Sequence, residues 1–143
     1  MMEYPIMIEK EEKGSRLIYT DSRTVSDQRE PFCYLNDLCL IHGSSLEGRR
    51  TAFKQLTGAV QKACILISER SQEIYMPVLS DQNPENVWIL YSSIISCRKS
   101  DNGCLVLFQD GTRREIHVDP RVIRQQMKRC SVFLDKINDP SAF

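Results

Sequence analysis

Two turn-forming dipeptides, Asn102-Gly103 and Asp110-Gly111, bracket the apolar run Cys104–Phe108. Glycine takes the positive φ of a tight hairpin turn without steric cost, so each dipeptide reverses the chain. Before the run, Val87–Tyr91 is aliphatic and aromatic, with a strand extending as far as Arg98. After it, Thr112–Val118 alternates, with Ile116 and Val118 on one face and Arg113, Glu115 and His117 on the other. This pattern predicts a three-stranded antiparallel meander. A helix follows directly. Asp119 is placed to cap it, and Pro120 occupies the first position, where a missing N–H does no harm. Ile123, Met127, Cys130, Leu134 and Ile137 then recur at helical spacing until Asn138-Asp139-Pro140 stops the pattern, which predicts an amphipathic helix near 120–137.

Upstream, the runs Cys64–Ser68 and Ile74–Leu79 flank the polar Glu69–Glu73 and predict a β-hairpin, followed by a polar connection over Ser80–Asn86. Ser44-x-x-Glu47 has the spacing of a capping box, and Gly58 suits the left-handed residue that ends a helix. The prediction is a helix over 45–57. Gly48 within it costs up to about 1 kcal/mol against alanine and suggests close approach of something to the backbone. Phe32–Ile41 is apolar with Asn36-Asp37 in its middle, and either helix or strand fits. Residues 1–31 are weakly patterned, with a short strand expected near Ser15–Thr20 and a loop over Ser22–Pro31. With 143 residues the chain is expected to form one α+β domain, 1–143, able to bury a core unaided.

Several function classes are disfavoured. No run of 18 apolar residues offers a membrane span, and the N-terminus lacks the basic flank and apolar stretch of a signal peptide. The six cysteines form no Cys-x-x-Cys pair and the only histidines are His42 and His117, so zinc spacing is absent. Several cysteines lie in apolar runs, as small buried thiols do in the cytosol. No metal ligand, cofactor or catalytic residue is nominated. Gly43–Arg50 is not a P-loop, since the lysine–hydroxyl ending and a parallel βαβ setting are missing. Nor does a nucleophile elbow surround Ser44 or Ser45.

Net charge is zero, but its distribution is uneven. Residues 42–70 and 97–143 are each net +3, and residues 71–96 between them are net −3. Binding answers to local potential, so two basic blocks keep nucleic acid in play. In the first block, Leu46, Ala52, Phe53 and Leu56 make an apolar helix side; Arg49 projects into its middle, and Arg50 and Lys54 flank it. Either Arg49 pairs with a buried acid or this face meets phosphate. In the second block, Arg121, Arg124 and Lys128 run opposite the apolar stripe, with Arg129 alongside. A shared positive surface requires both blocks on one face. Trp88, the only tryptophan, lies among aliphatic neighbours and is expected to anchor the core instead of stacking on a base.

An ordered set of segments carries a resemblance. Gly43–Arg50, Leu56-Thr57-Gly58, Tyr75-Met76-Pro77-Val78, Glu85–Ile89 and Phe108–Gly111, spread over a core of 32–137, resemble the ComK family of competence transcription factors of Firmicutes. The resemblance implies a cytoplasmic, non-enzymatic activator of DNA-uptake genes. It would bind double-stranded A/T-rich DNA with minor-groove contact, as dimers that pair on the promoter. Under it Ser44, Ser45, Gly48, Arg49, Arg50, Lys54, Arg121, Arg124 and Lys128 are the nominated DNA-contacting residues. Small residues would let backbone N–H groups close on phosphates, and arginines would enter a narrow groove. Well-known members run some tens of residues further, through a tail associated with activation and adaptor–protease recognition. A chain ending at Ala142-Phe143 is accordingly expected to bind without necessarily activating. The alternatives are a protein-interaction module on the same scaffold, or an antagonist paralogue forming mixed dimers.

Overall fold

The computed structural model describes residues 2–139 and 141. The elements run β1 (Met7–Glu11), β2 (Gly14–Ile18), β3 (Thr24–Asp27), α1 (Pro31–Ile41), α2 (Leu46–Thr57), β4 (Ile65–Leu66), β5 (Ile74–Pro77), β6 (Val87–Leu90), β7 (Ile94–Ser100), β8 (Gly103–Phe108), β9 (Arg113–Ile116) and α3 (Pro120–Asn138). Two antiparallel sheets result: a six-stranded one ordered β3-β2-β1-β6-β5-β4 and the expected meander β7-β8-β9. Pro140 and Ala142-Phe143 lie outside the described residues.

The large sheet is covered on both faces. Ile8, Leu17, Ile65, Tyr75 and Trp88 join Tyr34, Leu35, Leu38 and Cys39 of α1 in one apolar cluster. Their neighbours Met7, Ile18, Leu66, Ile74, Met76 and Ile89 join α3 and the meander in a second. Double coverage explains why β4, β5 and β6 read as unbroken apolar runs instead of alternating ones. The meander, covered on one face only, alternates cleanly: Cys104, Val106 and Phe108 are fully buried, and Leu105 and Leu107 between them are half-buried. Helix α2 reaches both clusters, with Leu46 in the first and Phe53 in the second, and so wraps the short edge strand β4.

Several expectations need correction. The weakly patterned N-terminal segment supplies half of the large sheet: β1 pairs with β6 through Met7↔Ile89, Ile8↔Trp88 and Glu9↔Val87, and β3 occupies part of the stretch expected to be loop. Phe32–Ile41 is helical, and its two polar residues have partners in neighbouring segments. Asn36 Oδ1 accepts the Leu46 N–H at 2.9 Å, and Asp37 takes Arg29 Nη1 at 2.9 Å. The strand expected to extend from Val87 to Arg98 breaks at a 3₁₀ turn over Tyr91–Ser93, where the chain passes from one sheet to the other. Ser93 fixes that turn, donating its hydroxyl to Leu90 O at 2.6 Å and accepting the Gln109 N–H at 2.8 Å. The predicted meander turns hold. Gly103 has φ +153°, and an added Cβ would lie 2.2 Å from Ile116 O, so no other residue fits. Asp119 caps α3 by accepting the Arg121 N–H. The α3 stripe also contains Phe133 and fully buried Gln126, whose amide donates to Lys62 O at 3.0 Å and Pro77 O at 2.7 Å.

All six cysteines are free thiols; Cys39, Cys64, Cys104 and Cys130 are buried and Cys33 is exposed. Burial pushes the Cys39 thiol up to about 11, and burial together with neighbouring Cys97 pushes Cys104 up to about 12. Because the thiolate is the nucleophile, these groups are unreactive at neutral pH. Brief iodoacetamide treatment at pH 8 is therefore expected to label Cys33 first and half-buried Cys97 next. Mass spectrometry should find the four buried cysteines unmodified until denaturant is added; early labelling of Cys104 would contradict the packing. Trp88 is 3% exposed, with its ring edge-on to Phe32 at 5.8 Å between centroids. Trp88→Ala should cost about 3–5 kcal/mol in urea unfolding, the usual cost of removing a buried large aromatic. A cost below about 1 kcal/mol would place the ring outside the core.

Candidate nucleic-acid interface

The stretch His42–Arg50 is the junction of two helices. Gly43, with φ +80°, ends α1, and its N–H donates to Leu40 O at 3.1 Å. Ser44 donates its N–H to Cys39 O, and the next residue opens α2. The cap is Ser45, not Ser44: its hydroxyl accepts the Gly48 N–H at 3.1 Å. Glu47 therefore stands one position too early to close a capping box, and it meets Arg50 at 3.3 Å instead. Gly58, with φ +74°, ends α2 as expected. With Leu46 N–H held by Asn36 and Gly48 N–H by Ser45, the first turn of α2 has two of its donors already occupied. That leaves less for a phosphate than a bare helix start would offer.

Arg49 and Arg50 are turned into the protein. The Arg49 side chain is only 11% exposed and reaches Glu69 Oε1 through Nη1 at 3.2 Å, while its Nε is buried without a partner among the described residues. Arg49 has an acid partner, but not the buried one expected: Glu69 is at the surface. Arg50 Nη2 holds Asp81 Oδ2 at 2.7 Å, and its guanidinium lies over the Phe32 ring at 5.7 Å. Arg50 thereby links α2, α1 and the connection before β6. The solvent side of α2 instead shows Glu47, Gly48, Thr51 and Gln55, while Lys54 is half-buried. Beside the junction, His42, Gly43, Ser44, Arg49, Ser68, Glu69 and Arg70 line an open cleft of about 410 Å³. The cleft adds exposed Arg70, a cation that charge counting included but that no motif singled out.

The second block is differently placed. Arg124 and Lys128 are exposed on α3 with no carboxylate partner among the described residues. Arg124 Nη2 donates to Cys97 O, on the edge strand β7, at 3.2 Å. Arg121 pairs with Asp119, whose carboxyl is held below the usual range by that guanidinium. The two blocks lie towards opposite ends of α3. Glu69, the partner of Arg49, belongs to the β4–β5 loop, which contacts the last turn of α3 through Gln72 and Asn138, whereas Arg121 and Arg124 are at its start, beside β7. Nineteen residues of helix span about 28 Å. The structure therefore does not gather the nominated residues into one patch.

Catalytic constellations are not assembled from the histidines and serines. His42 Nε2 shares a 2.9 Å hydrogen bond with the Tyr4 hydroxyl, and exposed His117 lies 3.9 Å from Glu115. Among the described residues no cluster of His, Cys, Asp and Glu is spaced to hold a metal ion, and no helix is long and apolar enough to cross a membrane.

If Arg50 is structural, Arg50→Ala should destabilise the domain by about 1–3 kcal/mol, because it leaves the mostly buried Asp81 carboxylate unpaired. Arg50→Ala combined with Asp81→Ala should cost less than the sum of the two single changes in urea unfolding. Additive costs would show that the ion pair contributes nothing to the fold.

Comparison with known proteins gives one family. A model of the family described as ComK protein matches residues 1–141, so the match includes the N-terminal strands as well as the 32–137 core. No curated protein and no solved structure matches the chain.

Proposed function

The chain belongs to the ComK family of competence transcription factors, and on that premise we propose that it is a cytoplasmic DNA-binding regulator acting on A/T-rich promoter DNA of DNA-uptake genes. One observation of this molecule supports the DNA contact: exposed, unpaired Arg124 and Lys128 stand side by side on α3 beside the exposed Lys99 of β7. Cations without a carboxylate partner are available to neutralise phosphates and release their counterions. Arg121 borders them and exchanges Asp119 for a phosphate at little cost, being a solvent-exposed pair.

Under this proposal the first block has a secondary role. Ser44, Ser45, Gly48 and Lys54 offer small or flexible groups near the phosphate backbone. Arg49 and Arg50 reach DNA only by releasing Glu69 and Asp81. A narrow A-tract minor groove concentrates negative potential and draws arginine in, which accounts for A/T preference without base-specific hydrogen bonds. Two copies pairing on one promoter would double the phosphate contacts.

A mobility shift with A/T-rich and G/C-rich duplexes tests the proposal. The A/T-rich duplex should bind more tightly, and affinity should fall at least about tenfold between roughly 50 and 200 mM salt. Equal affinity for both duplexes would remove the groove preference. A flat salt response would remove nucleic acid and favour a protein-interaction module.

A further inference from the structure

The outer face of the β7–β8–β9 sheet is charged in a way the nominated residues do not capture. Arg98 on β7 and Arg113 on β9 are exposed, and neither has a carboxylate partner among the described residues. Between them on β8 lie Leu105 and Leu107, half-buried on an otherwise solvent-facing surface. The register sets Arg98 opposite Leu105, and Leu107 opposite both Ser96 and Arg113. Ser96, Arg98, Leu105, Leu107 and Arg113 together line a shallow depression of about 180 Å³. A bulge between Ile94 and Ser96 leaves Ile95 half-exposed at the rim. The face also carries one carboxylate: Glu115 lies opposite Leu105, in the same cross-strand row as Arg98, and turns towards the β7–β8 hairpin to accept the Asn102 N–H.

From this arrangement we propose that the outer face of the β7–β8–β9 sheet is the surface that enters the minor groove of duplex DNA. Arg98 and Arg113 would reach the two sugar–phosphate walls, with Leu105 and Leu107 between them facing the floor. The inference rests on the DNA-binding proposal above and deepens it by naming the reading surface. Two strand spacings and a two-residue offset put the Cα atoms of Arg98 and Arg113 roughly 12 Å apart. Flexible guanidinium arms on such a base straddle a groove about 6 Å wide. Sheets do read DNA grooves, and minor-groove proteins commonly present aliphatic side chains to base steps. Charge selects the occupant: two unpaired arginines on the face, with Lys99 and Arg124 at its β7 edge, complement a polyanion. Two leucines walled by arginines are a small apolar area for a protein partner.

The test compares the full chain with an Arg98→Gln/Arg113→Gln variant on an A/T-rich duplex over a salt series, with a thermal melt of each protein. Both residues are exposed, so the melts should coincide. The variant should bind at least about tenfold more weakly, and the slope of log affinity against log salt should be shallower by about 2, one unit per lost phosphate contact. Independently, the duplex should protect Arg98 and Arg113 of the unaltered chain from an arginine-specific glyoxal reagent, read by mass spectrometry. Unchanged affinity and slope with normal wild-type binding would overturn this surface while leaving the regulator standing. So would absence of protection, or loss of self-association in the variant with DNA binding intact. If the unaltered chain binds neither duplex, the regulator fails and this surface with it.

Discussion

The fold depends on one short ladder. The six-stranded sheet consists of two antiparallel halves, β3-β2-β1 and β6-β5-β4, joined where Met7, Ile8 and Glu9 meet Ile89, Trp88 and Val87. The Leu90 N–H, donated to Ile6 O at 2.9 Å, extends the junction by one bond. The ladder also sorts the core. Ile8 and Trp88 turn together to α1, and Met7 and Ile89 turn together to the opposite cluster. A slip of one residue would exchange those faces across the whole junction, so apolar burial on both sides fixes the register. The placement of α1, and through it of the α1–α2 junction, follows from that register.

The arginines have two fates. Arg49 and Arg50 lay their stems against the protein and spend their charge on Glu69 and Asp81, joining segments distant in sequence. Arg98, Arg113 and Arg124 keep theirs for solvent. In a chain with no net charge some arginines are left without an acid because others take two each: Glu47 and Asp81 at Arg50, Asp27 and Asp37 at Arg29, Glu9 and Glu11 at Arg16. Charge counting along the sequence detects blocks of charge, but only three-dimensional pairing shows which cations are neutralised.

What was legible in the sequence was local. The meander turns, the Asp119-Pro120 start of α3, its apolar stripe, the β4–β5 hairpin and the Gly58 end of α2 all carry their signal within a few residues. Three features escaped because their partners are remote. β1 is a short, half-polar strand whose second partner, β6, comes far later in the chain. Asn36 looked out of place in an apolar run because the N–H it caps belongs to Leu46, in the next helix. Asp81, in a polar connection, gave no hint that it anchors Arg50. The cap on α2 shifted by one residue because two adjacent serines offer the same hydroxyl, and only the Gly48 N–H chooses between them. In the candidate interface, residue type pointed to arginines, but which of them are available depends on those same remote acids.

The ladder between β1 and β6 has a consequence in time. Its two strands are roughly 80 residues apart, a separation that makes their pairing slow compared with the hairpins on either side. On a ribosome adding about 5–20 residues per second, β1 waits on the order of ten seconds before its partner is made. Through that interval the N-terminal strands can pair with one another, but Met7, Ile8, Leu17 and Ile18 face water on both sides of the ribbon and the β6-facing edge of β1 stays open. Such an edge is a template for other chains. The charged residues that punctuate this ribbon, Glu9, Lys10, Glu11 and Arg16, fall where they deter that encounter until Trp88 arrives to close the sheet.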